Sequence, residues 1–154
     1  MKNTFIALAL ILSATLLTSC KSDEAVDYKT RNDEEIQDYI TENNLNATKT
    51  NSGLYYVINE QGSGEQPIAT SNVTVAYKGY FTDGTVFDES DAEGISFNLQ
   101  QVIAGWTEGI TYFNEGGSGI LLVPAHLGYG NNNRGSIPGG SVLIFDVNLI
   151  SVDE

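Results

Sequence analysis

The sequence predicts an α+β domain in which a sheet of about five strands wraps on one short helix. Three observations lead to this prediction. Apolar residues alternate with polar ones in several short runs, which is the pattern of half-buried strands. Sixteen glycines and eight tyrosines favour a turn-rich, strand-rich chain over a helical bundle. One segment in the second half of the chain, about Trp106 to Phe113, is predicted to be the helix.

The first twenty residues have the pattern of an export signal. Lys2 is followed by the apolar run 5–17, and small residues precede Cys20. This order is typical of a secretory signal peptide, predicted over residues 1–19, and the apolar run is too short for a transmembrane span. The segment Leu17-Thr18-Ser19-Cys20 resembles the lipobox of bacterial lipoproteins, in which the chain is cut before the cysteine and its thiol carries a lipid. An incidental Cys20 behind a simple cleaved signal is the alternative.

The lipobox resemblance implies lipidation of Cys20 and a lipid-anchored location in the bacterial cell envelope, at the outer membrane. Several acyl chains together give stable anchoring where a single chain is marginal. The segment Lys21-Ser22-Asp23-Glu24 follows directly and resembles an acidic signal for export to the cell surface in some bacterial groups. The periplasmic face and the cell surface therefore both stay open.

A tether, a short helix and a linker are predicted before the main domain. Residues 20–32 are polar and charged, so they are expected to be a flexible tether. A helix is predicted over about 33–43, capped by Asn32 or Asp33, and residues 43–52 are predicted to be a polar linker. The helix should pack on the following domain, since one stripe cannot stand alone, and a dimerisation helix is the alternative. The stripe consists of Ile36, Tyr39 and Ile40.

A predicted hairpin gathers the first candidate site residues. Alternating apolar residues over 73–77 predict a strand, and Asp83-Gly84 can adopt positive φ and so predicts a tight turn. The chain returns through β-branched and aromatic residues that suit a pleated surface. The turn would bring Tyr77, Phe87 and Asp88 together as the wall of a binding pocket. An ordinary hairpin with a solvated Asp88 is the alternative.

The rest of the domain, predicted over 53–154, consists of strands and one long loop. Ile95, Phe97 and Leu99 are expected to face inward from one of these strands. The loop over 127–140 is rich in glycine and asparagine. The strands are predicted over 53–58, 95–99, 120–123 and 142–150.

Charge and composition disfavour several classes of function. The formal net charge is −13, with 20 acidic against 7 basic residues, and such a field repels nucleic acid and anionic lipid surfaces. One histidine, His126, and one cysteine leave no His/Cys cluster for zinc or iron. A single histidine also gives no Ser/His/Asp set, and the loop 127–140 lacks a phosphate-loop motif. We therefore expect no metal, no nucleic acid and no hydrolytic chemistry.

Five motifs in series resemble the FKBP-type peptidyl-prolyl cis-trans isomerases, over about residues 53–152. Each motif is weak alone, but all five occur in the family's order and near its spacings. The family fold is an antiparallel half-barrel sheet of about five strands around one short helix, here preceded by the short N-terminal helix. The motifs are Val75-Ala76-Tyr77-Lys78-Gly79, Gly84-Thr85-Val86-Phe87-Asp88, Val102-Ile103-Ala104-Gly105-Trp106, Pro124-Ala125-His126-Leu127-Gly128-Tyr129-Gly130 and Ile144-Phe145-Asp146-Val147.

The resemblance implies a peptide-binding pocket with aromatic walls. Trp106 would form its floor, and the Ile103 N–H and the Tyr129 hydroxyl would hydrogen-bond the peptide backbone. The residues implied for catalysis are Tyr77, Phe87, Asp88, Trp106, Tyr129 and Phe145. Those implied for substrate binding are Phe97, Val102, Ile103 and Ile137.

The implied function is isomerisation of X-Pro bonds that assists the folding of exported proteins. Rotation about an amide breaks no bond, so no cofactor is expected. The expected partners are proline-containing segments and the macrolide inhibitors of the family, and the oligomeric state stays open. The alternative is a non-catalytic module or chaperone on the same fold that binds proline-containing segments.

Three departures from the family leave the substrate preference open. Gln101 stands where relatives often carry an acid, and three asparagines follow Tyr129. The loop 89–94 contains no cation, so Asp88 and Tyr77 lack a positively charged partner there.

Overall fold

A computed structural model describes residues 27–153 of the chain. The predicted signal peptide, Cys20 and the tether up to residue 26 lie outside the described residues. Within 27–153, every helix is too short or too polar to cross a membrane.

The described part of the chain contains one antiparallel sheet of seven strands. The strands are β1 (Thr48–Lys49), β2 (Tyr55–Glu60), β3 (Asn72–Tyr80), β4 (Val86–Glu89), β5 (Ile95–Asn98), β6 (Ser118–Val123) and β7 (Leu143–Asp153). Their order in the sheet is β1-β2-β6-β7-β3-β4, with β5 also paired to β3. The α+β prediction is confirmed. The sheet has more than the predicted five or so strands, because a two-residue strand lies in the predicted linker. In addition, β4 and β5 are separate strands that pair with successive parts of β3.

The short helix after the β5 strand lies against β6. This helix, α2, spans Ala104–Gly109 and continues as a 3-10 turn over Ile110–Tyr112, so it begins two residues earlier than predicted. A Cβ on Gly105 would lie 2.5 Å from Val123 Cγ1, and one on Gly109 would lie 2.7 Å from Leu121 Cδ2. Real Cβ contacts are longer than this, so the two glycines are what allows the helix to approach the strand.

Each face of the sheet carries its own apolar cluster. Along β6, Leu121 and Val123 belong to the cluster that includes α2, whereas Leu122 belongs to the opposite cluster. This alternation follows from the period of two in a strand. Both faces are therefore covered, one by α2 and the other by the N-terminal helix.

The N-terminal helix, α1, spans Tyr28–Glu42 and begins five residues before the predicted start. Its cap is Asp27, whose carboxylate accepts hydrogen bonds from the N–H groups of Lys29 and Thr30, so the predicted caps Asn32 and Asp33 are wrong. The tether predicted over 20–32 is also wrong for residues 28–32, which are helical.

The prediction that this helix packs on its own domain is confirmed. Ile36 is fully buried, and Tyr39 and Ile40 pack against the same cluster. The cluster that contains this stripe includes sheet residues on the face opposite α2, together with Leu45, Ala47 and Val142 outside the strands.

Two smaller predictions need correction. Ile95 lies opposite the buried Val75 and so shares its face, yet Ile95 is 43% exposed because β5 is an edge strand. In the β3–β4 turn only Gly84 has positive φ, so Asp83 does not contribute the second such residue. Instead the Asp83 carboxylate accepts a hydrogen bond from the Thr85 N–H.

Candidate functional site

The ten predicted site residues surround one cavity of about 580 Å³. Three further residues that the sequence analysis did not assign to the site, Gln101, Gly128 and Arg134, also line it. The structure thus brings together residues that span 69 positions of the chain, from 77 to 145. The predicted residues are Tyr77, Phe87, Asp88, Phe97, Val102, Ile103, Trp106, Tyr129, Ile137 and Phe145.

Trp106 lies at the centre of an aromatic cluster. Its ring packs nearly perpendicular to three other rings, at interplanar angles of 77° to 90°. The distances between ring centroids are 5.1 Å to Tyr77, 5.4 Å to Phe97 and 5.4 Å to Phe145. Such edge-to-face pairs are the favoured arrangement of aromatic rings. The side chain is only 4% exposed, and its indole N–H has no hydrogen-bond acceptor among the described residues. The result is a rigid, apolar floor.

The β3–β4 hairpin places a hydroxyl and a carboxylate side by side. The Tyr77 hydroxyl donates a hydrogen bond of 2.7 Å to Asp88 Oδ2. Burial, and secondarily this hydrogen bond, raise the pKa of Tyr77 well above the ordinary value of a tyrosine. Tyr77 therefore stays neutral at physiological pH, and the Asp88 carboxylate is held as an acceptor at the rim.

A glycine lies beneath two of the rings. A Cβ on Gly79 would lie 2.6 Å from Phe87 Cε2 and 3.0 Å from Phe145 Cε1. The rings of Phe87 and Phe145 meet nearly at right angles with centroids 5.6 Å apart. Glycine inside a strand often marks a close approach of this kind, and here it leaves room for both walls of the cavity.

The segment after β6 supplies the opposite wall. Arg134 and Ile137 form a small bridge, in which each backbone N–H donates to the other residue's carbonyl at 2.8 and 3.0 Å. The Arg134 guanidinium lies 4.8 Å from the centre of the Tyr129 ring, close enough for a cation–π contact. The acidic rim at Asp88 thus faces a cavity that has one cationic side chain in its lining.

Arg134 belongs to the lining but to none of the motifs, although one signal in the sequence points to it. Arg134 is the only lysine or arginine after Lys78 in the whole sequence. An isolated cation in a loop of glycine and asparagine has no helix face or ion-pair network to serve, so it could have been named as a site residue.

The edge of α2 offers a backbone donor. Ile103 is the N-cap of α2 and has extended backbone angles, with φ −62° and ψ 149°. A residue in this position precedes the first hydrogen-bonded turn, so its N–H has no acceptor within the helix. Val102 precedes it in the lining. The α2 N-terminus thus adds a polar group to a mostly aromatic cavity.

The lining suits binding of an apolar ring flanked by peptide groups. It contains no serine, cysteine, lysine or histidine, so the described lining offers no Ser or Cys nucleophile paired with a His or Lys base. Its polar groups are hydrogen-bond donors and acceptors, and its floor is aromatic. An apolar pocket with a few placed polar groups is the usual form of a small-ligand site.

Comparison with known proteins finds one family. A sequence model of the FKBP-type peptidyl-prolyl cis-trans isomerase family matches residues 63–150. The chain is 46% identical over 110 residues to the FKBP-type peptidyl-prolyl cis-trans isomerase FkpA of Buchnera aphidicola (subsp. Schizaphis graminum), covering 69% of this chain and 43% of that protein. It is 38% identical over 141 residues to FkpA of Aeromonas hydrophila, covering 90% of this chain and 52% of that protein.

The fold agrees with a solved structure from the same group of proteins. The crystal structure of FkpA from Escherichia coli superposes with a TM-score of 0.75 at 37% identity, covering 84% of this chain and 61% of that one. The chain spans about half the length of the curated relatives it matches.

The raised pKa of Tyr77 predicts that its hydroxyl ionises only well above pH 10. Because the folded state holds the Tyr77 proton more tightly than the unfolded state, its contribution to stability is complete below about pH 10 and is lost as the pH rises through the folded-state pKa. Phenolate absorbance should show that Tyr77→Phe removes a group titrating well above pH 10. As a control, Tyr112→Phe should remove a transition near pH 12, because burial raises the pKa of Tyr112 to about 12. Loss of a group titrating near pH 10 in Tyr77→Phe would contradict the prediction.

Proposed function

The chain belongs to the family of FKBP-type peptidyl-prolyl cis-trans isomerases, and we propose that it accelerates rotation about X-Pro bonds and so assists the folding of exported proteins. The observation that carries this proposal is the aromatic cluster around Trp106, which forms the floor of a cavity between the β3–β4 hairpin and the segment that holds Tyr129. A proline ring would rest on this floor with its peptide groups at the rim.

The cavity would act by binding the twisted amide more tightly than the planar one. Amide resonance gives the barrier of about 18–20 kcal/mol, and uncatalysed X-Pro rotation takes tens to hundreds of seconds. A twisted amide has lost resonance and part of its carbonyl dipole, so an apolar, water-poor surface favours it over the planar form. Each 1.36 kcal/mol removed from the barrier is about tenfold in rate.

The polar groups at the rim would orient the peptide. The Ile103 N–H and the Tyr129 hydroxyl are the donors suited to hold the backbone on either side of the proline. Asp88 is engaged by the Tyr77 hydroxyl, so its role is to organise the rim and not to remove a proton. Rotation requires no proton transfer, and the absence of a base from this scheme is consistent with the chemistry.

The first experiment separates catalysis from binding alone. The full-length chain should accelerate cis-to-trans conversion of a short Leu-Pro peptide, and rapamycin should inhibit it. Phe87→Ala should lower kcat/KM at least tenfold, since it removes a wall of the cavity. Tyr112→Ala is the matched control, because Tyr112 is a partly buried aromatic residue that packs on the same core but does not line the cavity.

The outcomes assign the function. If the wild-type chain binds rapamycin tightly but does not accelerate the conversion, the protein is a non-catalytic module that binds proline-containing segments and not an isomerase. If the wild-type chain shows neither acceleration nor rapamycin binding, both functions are overturned. An equal loss in Phe87→Ala and Tyr112→Ala would mean that the cavity is not the active site.

Because Arg134 is the one cationic side chain in the cavity lining, we expect a preference for an acidic residue before proline. An exposed ion pair is worth about 0.2–1 kcal/mol, so Arg134→Gln should lower kcat/KM for a Glu-Pro peptide about 1.4-fold to fivefold relative to a Gln-Pro peptide at low salt. The difference should shrink as salt is added. Lys78→Gln is the matched control, since it removes the same charge from a residue outside the lining. An unchanged Glu-to-Gln ratio in Arg134→Gln would refute this preference.

We further propose that the protein is a lipoprotein anchored through Cys20 in the bacterial envelope, at the outer membrane. The support is the signal-like run followed by Leu17-Thr18-Ser19-Cys20. The full-length chain expressed in a bacterium should incorporate labelled palmitate and sediment with membranes. Cys20→Ala should abolish the label and leave Leu-Pro isomerisation unchanged, because Cys20 belongs to none of the motifs that supply the cavity residues. Membrane sedimentation without label in the wild-type chain would overturn the proposal.

A further inference from the structure

Asn32, on the first half of α1, is a polar side chain with no exposed surface. Its carboxamide makes two long-range hydrogen bonds. The Nδ2 group donates to the Gly140 carbonyl at 2.9 Å, and Oδ1 accepts from the Ala125 N–H at 2.9 Å. Burying an amide is costly unless it is hydrogen-bonded, and here both ends of the carboxamide are used.

The two partners of Asn32 mark the ends of one segment. Residues 125–140, which we call the pocket loop, begin just after β6 and end just before β7. The loop carries Tyr129, Arg134 and Ile137, which form one wall of the cavity. A single side chain from another element thus holds both ends of this wall.

The base of the pocket loop is closed by its own backbone. The Gly130 N–H donates to the Ala125 carbonyl at 2.8 Å, and the Gly140 N–H donates to the Gly130 carbonyl at 2.9 Å. Tyr129 directly precedes the residue at which these two bonds meet. A shift at either end of the loop would therefore move the Tyr129 backbone.

Two further residues of α1 contact the same end of the pocket loop. Arg31 Nη2 donates to the Gly140 carbonyl at 3.2 Å. The Tyr28 ring lies where a Cβ on Gly140 would be, and Gly140 has φ of +77°, so glycine is required there on both counts. The first turn of α1 is therefore fitted to this end of the loop.

We propose that Asn32 is a positioning residue for the cavity, which holds Tyr129 and Ile137 in place by clamping both ends of the pocket loop from outside. The catalytic part of this inference rests on the proposed isomerase function, whereas the clamp itself does not. The other buried side chain of α1, Ile36, has a different role. It packs on the sheet face opposite α2, one turn further along the helix.

The test compares Asn32→Ala with Ile36→Val in the full-length chain. Both variants weaken the docking of α1, but only Asn32→Ala removes the clamp. Residue-resolved amide exchange should show the Ala125, Gly130 and Gly140 amides exchanging at least tenfold faster in Asn32→Ala, with the β3–β7 amides unchanged. In Ile36→Val these three amides should keep the protection they have in the wild-type chain.

The same pair of variants is then assayed for isomerisation. Misplacing the Tyr129 hydroxyl costs about one hydrogen bond to the peptide, so kcat/KM for the Leu-Pro peptide should fall about threefold to tenfold in Asn32→Ala and less than twofold in Ile36→Val. If the wild-type chain has no isomerase activity, the proposed function fails while the exchange experiment still decides on the clamp.

Asn32→Asp provides a second variant if Asn32→Ala does not fold. It is nearly isosteric, and in its ionised form it keeps an acceptor for the Ala125 N–H but loses the donor to the Gly140 carbonyl, so exchange is measured at a pH at which the introduced carboxyl is ionised. Exchange should then accelerate at Gly140 and not at Ala125. Wild-type protection of the pocket loop in both Asn32 variants would overturn the proposal. Acceleration in the same proportion at the loop and at β3–β7 would also overturn it, since Asn32 would then serve global stability alone.

Discussion

The close approach of α2 to β6 determines the position of the cavity floor and the contacts of its aromatic rings. Gly105 and Gly109 are four residues apart and so lie on one face of the helix, and both lack the Cβ that would collide with β6. This contact fixes the depth at which Trp106, the neighbour of Gly105, enters the space above the sheet. A helix held further from the strand would leave a gap beneath the indole ring, and the three rings that meet it edge-on would lose their common partner.

The site obtains its character from rigid elements rather than from reactive groups. Aromatic walls come from β3, β4, β5 and β7, and the floor comes from α2, so five elements hold the rings before any peptide arrives. Preorganisation of this kind suits a reaction in which nothing is cleaved and only the shape and polarity of an amide change. The pocket loop is the part of the wall that has no regular strand or helix of its own beyond a short turn, which is why its ends need external support.

The sequence predicts which residues line the cavity better than it predicts the boundaries of the fold. All ten predicted residues line one cavity, and eight of them could be named because they lie in motifs whose order is shared with a known family. Phe97 and Ile137 lie between those motifs. The sequence does not reveal the start of α1, because its cap, Asp27, lies in a stretch as polar as the tether around it. The exposure of Ile95 depends on strand order, which a period of two does not contain. The local sequence predicts Asn32 as a helix cap and does not reveal its partners, which are 93 and 108 residues away.

Trp106 also gives the protein an optical property. It is the only tryptophan in the chain, and it lies at the floor of the cavity. Its ultraviolet emission therefore comes from a single place, which an occupant would cover directly. Eight tyrosines elsewhere in the chain can pass excitation energy to it. The intrinsic fluorescence of the unlabelled protein therefore reports whether the cavity is occupied, because the signal originates where a bound ring would rest.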